Sequence, residues 1–417
     1  MTIRRAYFQY VSGINIKCFM KVTAYFFASL LIYLAAIVLM ACHREKEQSK
    51  STVSTRDEPI REEVGALPET YISPVDNPST ADKIALGRLL FYDPILSGGK
   101  DVACASCHHP DYGYAESQEL SIGVNGTGLG EMRKFNHPNS IPFARRNAHS
   151  LLNTAYNGID VEGNYTPEKA PMFWDLRVES LEKQALEPII NFEEMRGPSY
   201  ETEVTLDSIV NRIQQIPAYE LYFAKVFGDS SSINAVNIAK ALATFQRSLT
   251  ANNSRFDQYM RGDHKAISSL EKEGFAAFIR SGCAKCHNGP MFSDFKLHVL
   301  GVADNEKLTI PDTGPKNSYA FRTPTLRNLR YTDPYMHNGK FKTLRRVMEF
   351  YEDMASKEPE NPQVSRKQLD PLAKQMKLKF KDFQAIEAFL NTLNDDQFDR
   401  TIPESVPSGL PVGGNIH

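Results

Sequence analysis

Apolar residues recur at helical spacing in run after run of this chain, while alternating strand patterns are scarce. Ile238, Leu242, Phe245 and Leu249 fall at i, i+4, i+7 and i+11, so one stripe of that segment is predicted to be buried. Leu206, Val210 and Ile213 make a shorter stripe, and Phe383, Ile386, Phe389, Leu390 and Leu393 repeat the pattern near the C-terminus. Ser268-x-x-Glu271 has the form of a capping box and opens a helix through Phe275, Phe278 and Ile279. Leu344, Val347 and Tyr351, at i, i+3 and i+7, share a further apolar face, which turns Tyr351 inward. Between about Asn252 and His264 the helical pattern breaks into Asn, Arg, Asp and Gly, and a domain boundary is expected there. From about Thr401 the chain is rich in Pro and Gly and is expected to lack fixed structure. The fold class is therefore mainly α, with long connecting loops.

The N-terminus departs from this pattern. Val22 to Ala41 is an uncharged apolar run preceded by Arg4, Arg5, Lys17 and Lys21, which reads as an export signal or a membrane anchor. It ends in Leu39-Met40-Ala41-Cys42, similar to a bacterial lipobox, in which cleavage leaves Cys42 as a lipidated first residue. An uncleaved helix with an incidental cysteine is the alternative, and Met20-Lys21 offers a second start for a shorter signal. The charged, Ser/Thr-rich stretch that follows resembles a flexible tether. The expected division is a signal or anchor over 1–41, a tether over 42–66, two domains over 67–255 and 256–400, and a flexible tail over 401–417. A periplasmic location, tethered to a membrane through the N-terminal lipid or helix, follows from that reading. With 417 residues and a formal net charge of −2, the chain has room for two or three cores and no basic block that would suit nucleic acid.

Chemistry enters with two copies of Cys-x-x-Cys-His, Cys104-Ala-Ser-Cys107-His108 and Cys283-Ala-Lys-Cys286-His287. That spacing is the attachment site of c-type haem: two thiols meet the vinyl groups of one porphyrin and the adjacent histidine turns to the iron. A thioredoxin-like redox pair or half a zinc site would also begin Cys-x-x-Cys, but neither explains the histidine, and a zinc site needs further ligands at suitable spacing. Four of the six cysteines lie in these motifs, leaving only Cys18 and Cys42. Two covalently bound haems are expected, one in each of two cytochrome c-like helical domains. Gly123 to Gly130 has four glycines, yet lacks the Lys-Ser/Thr of a phosphate loop and reads as a loop beside the first haem.

From Ala85 to Leu393 the ordered motifs resemble those of the bacterial di-haem cytochrome c peroxidase and MauG family. They are Leu86 to Pro94, the first haem motif, Arg146-Asn147, Leu152-Asn153, Phe173-Trp174-Asp175, Gln184-Ala185 and Glu193-Glu194-Met195. The second haem motif, Phe321 to Asn328 and Pro334 to Gly339 complete the series. The resemblance implies peroxide chemistry at the N-terminal haem with electrons relayed through the C-terminal one. It makes His108 and His287 the iron ligands, singles out Glu194 from Glu187 and Glu193 as the distal acid and base, and gives Gln184 as its polar neighbour. Trp174, the only tryptophan, would be a relay between the haems, although a lone tryptophan is ordinarily a core residue. The chain departs from the family here, with Leu176 where the others read Gly after Trp-Asp.

At the position where pre-reduced peroxidases place a methionine ligand, fourteen residues after His337, this chain has Tyr351, as in MauG. Met348, one turn earlier, is the rival ligand for the second iron. On the first iron an open sixth position is expected, with His137 or His149 as alternatives, the latter standing where the family commonly has Pro. A structural calcium held by Asn147 and the carbonyls of Thr332 and Pro334 is a further implication. His298 either contacts a haem edge or is a satisfied buried histidine. The leading expectation is reduction of hydrogen peroxide with electrons from a small redox protein, a cytochrome c or cupredoxin. Peroxide-dependent oxidation of a partner protein is the second reading, and a non-enzymatic di-haem electron carrier the third.

Overall fold

The computed structural model describes residues 63–229 and 232–417. The signal or anchor, Cys42 and most of the tether expected over 42–66 lie outside the described residues. The end of that tether is already part of the fold, with Val64 buried in an apolar cluster. No helix among the described residues is long and apolar enough to cross a membrane.

The described chain is mainly helical. Its α-helices are α1 (Ala81–Tyr92), α2 (Leu181–Gln184), α3 (Glu187–Ile190), α4 (Thr202–Gln214), α5 (Pro217–Phe227), α6 (Ala235–Ser248), α7 (Arg255–Met260), α8 (Ser269–Ser281), α9 (Leu344–Met354), α10 (Pro371–Lys374) and α11 (Phe383–Asn391). Three antiparallel two-stranded ribbons pair β1 (Gly126–Thr127) with β2 (Lys134–Phe135), β3 (Pro171–Met172) with β4 (Val178–Glu179), and β5 (Leu297–Val299) with β6 (Ala320–Arg322).

Two apolar clusters organise the helices. One gathers residues of α1, α4, α5 and α6, including the predicted stripe Ile238, Leu242, Phe245 and Leu249. The other gathers Phe256, Phe275, Phe278 and the stripe Phe383, Ile386, Phe389, Leu390 and Leu393. In each cluster a helix just upstream of a haem motif crosses a helix downstream of it, with a glycine at the crossing. A Cβ on Gly87 of α1 would overlap the Ala241 carbonyl of α6, and one on Gly274 of α8 would overlap the Ala385 carbonyl of α11. These glycines permit backbone contact at the crossing, and the crossing fixes where each haem motif emerges.

The predicted capping box is present: Ser268 Oγ accepts from Glu271 N and the Glu271 carboxylate accepts from Ser268 N. The helix ends at Gly282, whose φ of 89° suits glycine, and Cys283 follows directly. Two findings differ from the sequence reading. The apparent break between Asn252 and His264 contains α7, opened by a second capping box, Ser254 with Asp257. The tail forms no regular element yet is pinned. Ser408 Oγ donates to Asp93 Oδ1 at 2.6 Å, Gly413 N to the Tyr92 carbonyl at 2.7 Å and Asn415 N to the Asp101 carbonyl at 2.9 Å.

Candidate active site

Both haem motifs open onto one cavity of about 790 Å³. Each motif is a single 3-10 turn, Cys104–Ser106 and Cys283–Lys285, that presents its thiols and then its histidine. His108 Nδ1 lies 2.9 Å from the Tyr114 carbonyl, and His287 Nδ1 lies 2.9 Å from the Phe292 carbonyl. A carbonyl only accepts, so Nδ1 carries the proton in both rings and Nε2 keeps its lone pair for a metal. Burial also lowers both pKa values, which favours the neutral imidazole. The half-buried thiols Cys104 and Cys283 are pushed up to about 12 by desolvation, so neither is a poised thiolate. Two thiols, a histidine with a free Nε2 and an apolar chamber at each end fit two covalently attached haems.

Around the first motif the cavity is lined by Glu194 and Gln184. Glu194 sits in a π-helical turn, Phe192–Arg196, started by Asn191, whose side chain accepts from the backbone N–H groups of Glu193 and Glu194. Such turns are rare and concentrate at functional sites. Desolvation raises the Glu194 carboxyl to about 7, only partly opposed by Arg177. Gln184 Oε1 is buried without a hydrogen-bond partner. Glu187 and Glu193, the rivals, also line the cavity.

Trp174 is buried, and its Nε1 donates to the Asn147 carbonyl at 2.9 Å. Its backbone needs unusual geometry on both sides, with φ of 62° at Phe173 and 57° at Leu176. The second of these explains why glycine suits the position that Leu176 occupies here. Arg146 is locked between Asp175 and Asp312, at 2.7 Å and 2.5 Å. Asn147 donates through Nδ2 to the Gln118 carbonyl at 2.7 Å. Thr332 lines the cavity and Pro334 follows shortly after it.

At the second motif Tyr351 and Met348 both line the cavity from α9, with Met348 also part of the second apolar cluster. Burial pushes the Tyr351 hydroxyl far above its ordinary pKa, with Cys286 and Cys283 near enough to add to the effect. His137 is exposed at the surface, whereas His149 is turned inward, its Nε2 3.2 Å from Arg322 Nη2. His298 lies between Asp294 and Asp370, at 3.0 Å and 2.8 Å, and chiefly through Asp294 it is raised to about 11. Both of its ring nitrogens are partnered, the ring also lines the cavity, and together with Cys286 and Asp294 it forms a tight group of side chains beside the second motif.

Sequence reasoning missed two buried groups. Arg322, within the quoted Phe321 to Asn328 motif, is buried with Nε unpartnered and lines the cavity, which suits a carboxylate of a haem. Glu116 is buried beside Cys107, hydrogen-bonded by Ser121 and raised by burial to about 7, with Oε2 unpartnered. A glutamate in a Tyr-Ala-Glu-Ser stretch carries no mark of its burial.

Residues 81–265 match the model of the di-haem cytochrome c peroxidase family. The chain is 32% identical over 342 residues to the methylamine utilization protein MauG of Methylorubrum extorquens, covering 81% of this chain and 85% of that one. The chain belongs to the di-haem cytochrome c peroxidase family. It is also 30% identical over 338 residues to cytochrome c551 peroxidase of Nitrosomonas europaea, covering 79% of this chain and 85% of that protein. The crystal structure of a MauG-like protein associated with microbial copper homeostasis superposes with a TM-score of 0.63 at 26% identity, over 79% of this chain and 95% of that one. The di-haem peroxidase BthA of Burkholderia thailandensis, 24% identical, shares the fold with a TM-score of 0.59 over 83% of this chain and 98% of that one. As a member of this family the chain is an oxidoreductase of the peroxidase type with two haem cofactors.

Proposed function

We propose that the chain is a periplasmic peroxidase that binds hydrogen peroxide at the N-terminal haem site and draws electrons from a small redox protein, a cytochrome c or cupredoxin, through the C-terminal site. The observation that carries this reading is a half-buried carboxyl raised to about 7, Glu194, and an unpartnered Gln184 Oε1 lining the cavity that His108 also lines. Haem held at the two motifs by their cysteines and histidines would supply redox-active iron, two one-electron centres that together deliver both electrons. Glu194, as carboxylate, takes the proton from the proximal oxygen of peroxide and returns it to the distal oxygen, which leaves as water. Gln184 Oε1 accepts a hydrogen bond from the peroxide and fixes its orientation. His108, oriented by the Tyr114 carbonyl at Nδ1, would hold the first iron through Nε2. Trp174 relays charge between the sites, and Tyr351, whose hydroxyl is kept protonated by burial and the nearby Cys286 and Cys283 until a metal cation displaces the proton, would hold the second iron in preference to Met348. The Asn147 amide nitrogen is spent on the Gln118 carbonyl, which leaves its oxygen, with the carbonyls of Thr332 and Pro334, for a calcium ion. The N-terminal apolar run and Cys42 support export and lipid tethering.

Tyr351 favours a second reading, a MauG-like oxidase that uses peroxide to modify a partner protein, because an anionic ligand stabilises oxidised iron. The deciding experiment adds one equivalent of peroxide to the diferric holoprotein and follows optical and electron paramagnetic resonance spectra. Rapid reaction that Glu194→Gln slows supports the proposed site. A long-lived oxidised state assigns the oxidase reading, and prompt turnover with a reduced cytochrome or cupredoxin assigns the peroxidase. Two six-coordinate irons silent to peroxide, before and after reduction, would leave an electron carrier and overturn both.

A further inference from the structure

Four aromatic rings stand in file in the cavity that both haem motifs line. Phe321 and His337 stack at 3.6 Å and 12°. Trp174 meets His337 edge to face at 6.4 Å, and on its other side stacks on His149 at 4.2 Å and 25°. The His149 backbone in turn lies within hydrogen-bonding reach of the His108 ring. All four rings and His108 line the same cavity.

The file is held by backbone bonds rather than by packing alone. Trp174 Nε1 donates to the Asn147 carbonyl at 2.9 Å, Asn147 N to the His337 carbonyl at 2.8 Å, and Arg322 N to the Trp174 carbonyl at 2.7 Å. The His149 ring is oriented by Arg322, whose Nη2 is 3.2 Å from Nε2 while Nη1 donates to the Pro171 carbonyl at 2.9 Å. A guanidinium only donates, so Nε2 must accept and the ring is the neutral tautomer protonated at Nδ1. A neutral ring stacked on Trp174 tolerates loss of an electron from the indole, whereas an imidazolium there would oppose it.

We propose that His149 is a positioning residue of the electron relay: its ring, oriented by Arg322, extends the Trp174 π-system toward the first haem motif and speeds charge transfer between the two sites. One electron leaves Trp174 toward the first site and is replaced from the second, with no bond made or broken at His149. The inference rests on the reading of Trp174 as the relay.

The test compares holoprotein variants His149→Phe, His149→Gln, His149→Ala and Trp174→Phe. Phe keeps a flat ring without the acceptor, Gln keeps an acceptor without the ring, and Ala keeps neither. After one equivalent of peroxide, stopped-flow absorbance reads the rate at which the second haem is oxidised, and freeze-quench electron paramagnetic resonance reads which haem holds the oxidising equivalent. Midpoint potentials and resting spectra show that both sites are loaded alike. The expected result is that Phe retains the transfer rate within a few-fold while Gln and Ala slow it at least about tenfold, equivalent to about 1.4 kcal/mol in the barrier, as Trp174→Phe also does. If Trp174→Phe slows transfer and Ala does not, the role of His149 is overturned while the relay reading stands. Equal slowing by Phe and Ala would overturn the stacking argument, and an unaltered rate in Trp174→Phe would overturn the relay reading and this inference with it.

Discussion

Glu194 is a residue whose environment does more than its identity. Half-buried in a π-helical turn, its carboxyl is pushed up to about 7 by desolvation, above the usual carboxylate range. Only the ionised form can take a proton from peroxide, so the rate of peroxide reaction is expected to rise as pH increases through about 7. Glu194→Gln should lose that rise and about 10²- to 10⁴-fold in rate. A pH-rate profile by stopped flow checks this, and an unchanged inflection in the variant would assign the titration elsewhere. The raised pKa also has a stability sign: the neutral form is favoured in the fold, so Glu194 opposes folding increasingly as pH climbs from the unfolded carboxyl value toward 7. Leu176 is a different case. At φ 57° a Cβ is strained, so Leu176→Gly should be more stable than Leu176→Ala by about 1 kcal/mol, the reverse of the order at ordinary positions. Denaturant unfolding of the two variants measures the difference. The haem cysteines and their histidines were legible because their spacing is the chemistry. The departure at Leu176 was legible as well, although its cause, a left-handed backbone, needed coordinates. The His149 to Arg322 contact was not legible, because it joins residues 173 apart whose types carry no signal alone.

The helices were legible wherever apolar periodicity was long. The stripes through Phe245 and Phe389 are buried as the spacing required, and the Ser268 capping box is formed. α7 escaped notice because six residues give too few turns for a period, and its capping pair Ser254 and Asp257 stood among residues that read as loop. Within α7, Asp257 is fully buried and accepts both arms of Arg327 at 2.9 Å, a tertiary pairing that periodicity cannot announce. Glycine marks the matched crossings of α1 with α6 and α8 with α11, where an added Cβ would strike a carbonyl oxygen. Gly87→Ala and Gly274→Ala should each cost about 1–3 kcal/mol or more, because backbone must move to admit the methyl group. The comparison is unfolding of each variant against the parent holoprotein, and a loss below about 0.5 kcal/mol would mean that the helices separate easily there. Since each crossing sits against one haem motif, the first variant should perturb the spectrum of the first haem and the second that of the second.

Across the whole molecule the C-terminal tail has the largest consequence that composition concealed. Pro and Gly pointed to a tail without fixed structure, but backbone groups can be satisfied without helix or strand, and here they are paired with residues around the first haem motif. The tail leaves the second apolar cluster after α11 and closes over the first haem motif. Ser106, inside Cys104-Ala-Ser-Cys107, donates to the Gly413 carbonyl at 2.8 Å, and Gly414 bridges Val102. The Asn415 carbonyl accepts from Gly128 N at 3.0 Å and from Arg133 Nη1 at 3.2 Å, which ties in the glycine-rich loop. Farther back, Ser408 covers Asp93, which is otherwise held by Tyr219 at 2.7 Å. Ending the chain after Arg400 removes these bonds together and opens the turn that presents Cys104, Cys107 and His108. At about 0.5–1 kcal/mol per net hydrogen bond, the loss of six such bonds should cost about 3–6 kcal/mol of stability. The spectroscopic change should be local: electron paramagnetic resonance of the truncated holoprotein should show a broadened or altered first-haem signal beside an unaltered second-haem signal. Equal disturbance of both haems would make the tail a general stabiliser of the fold. No disturbance of either would show that the Cys104 turn is held by α1 and its own hydrogen bonds, with the tail resting on a site already formed.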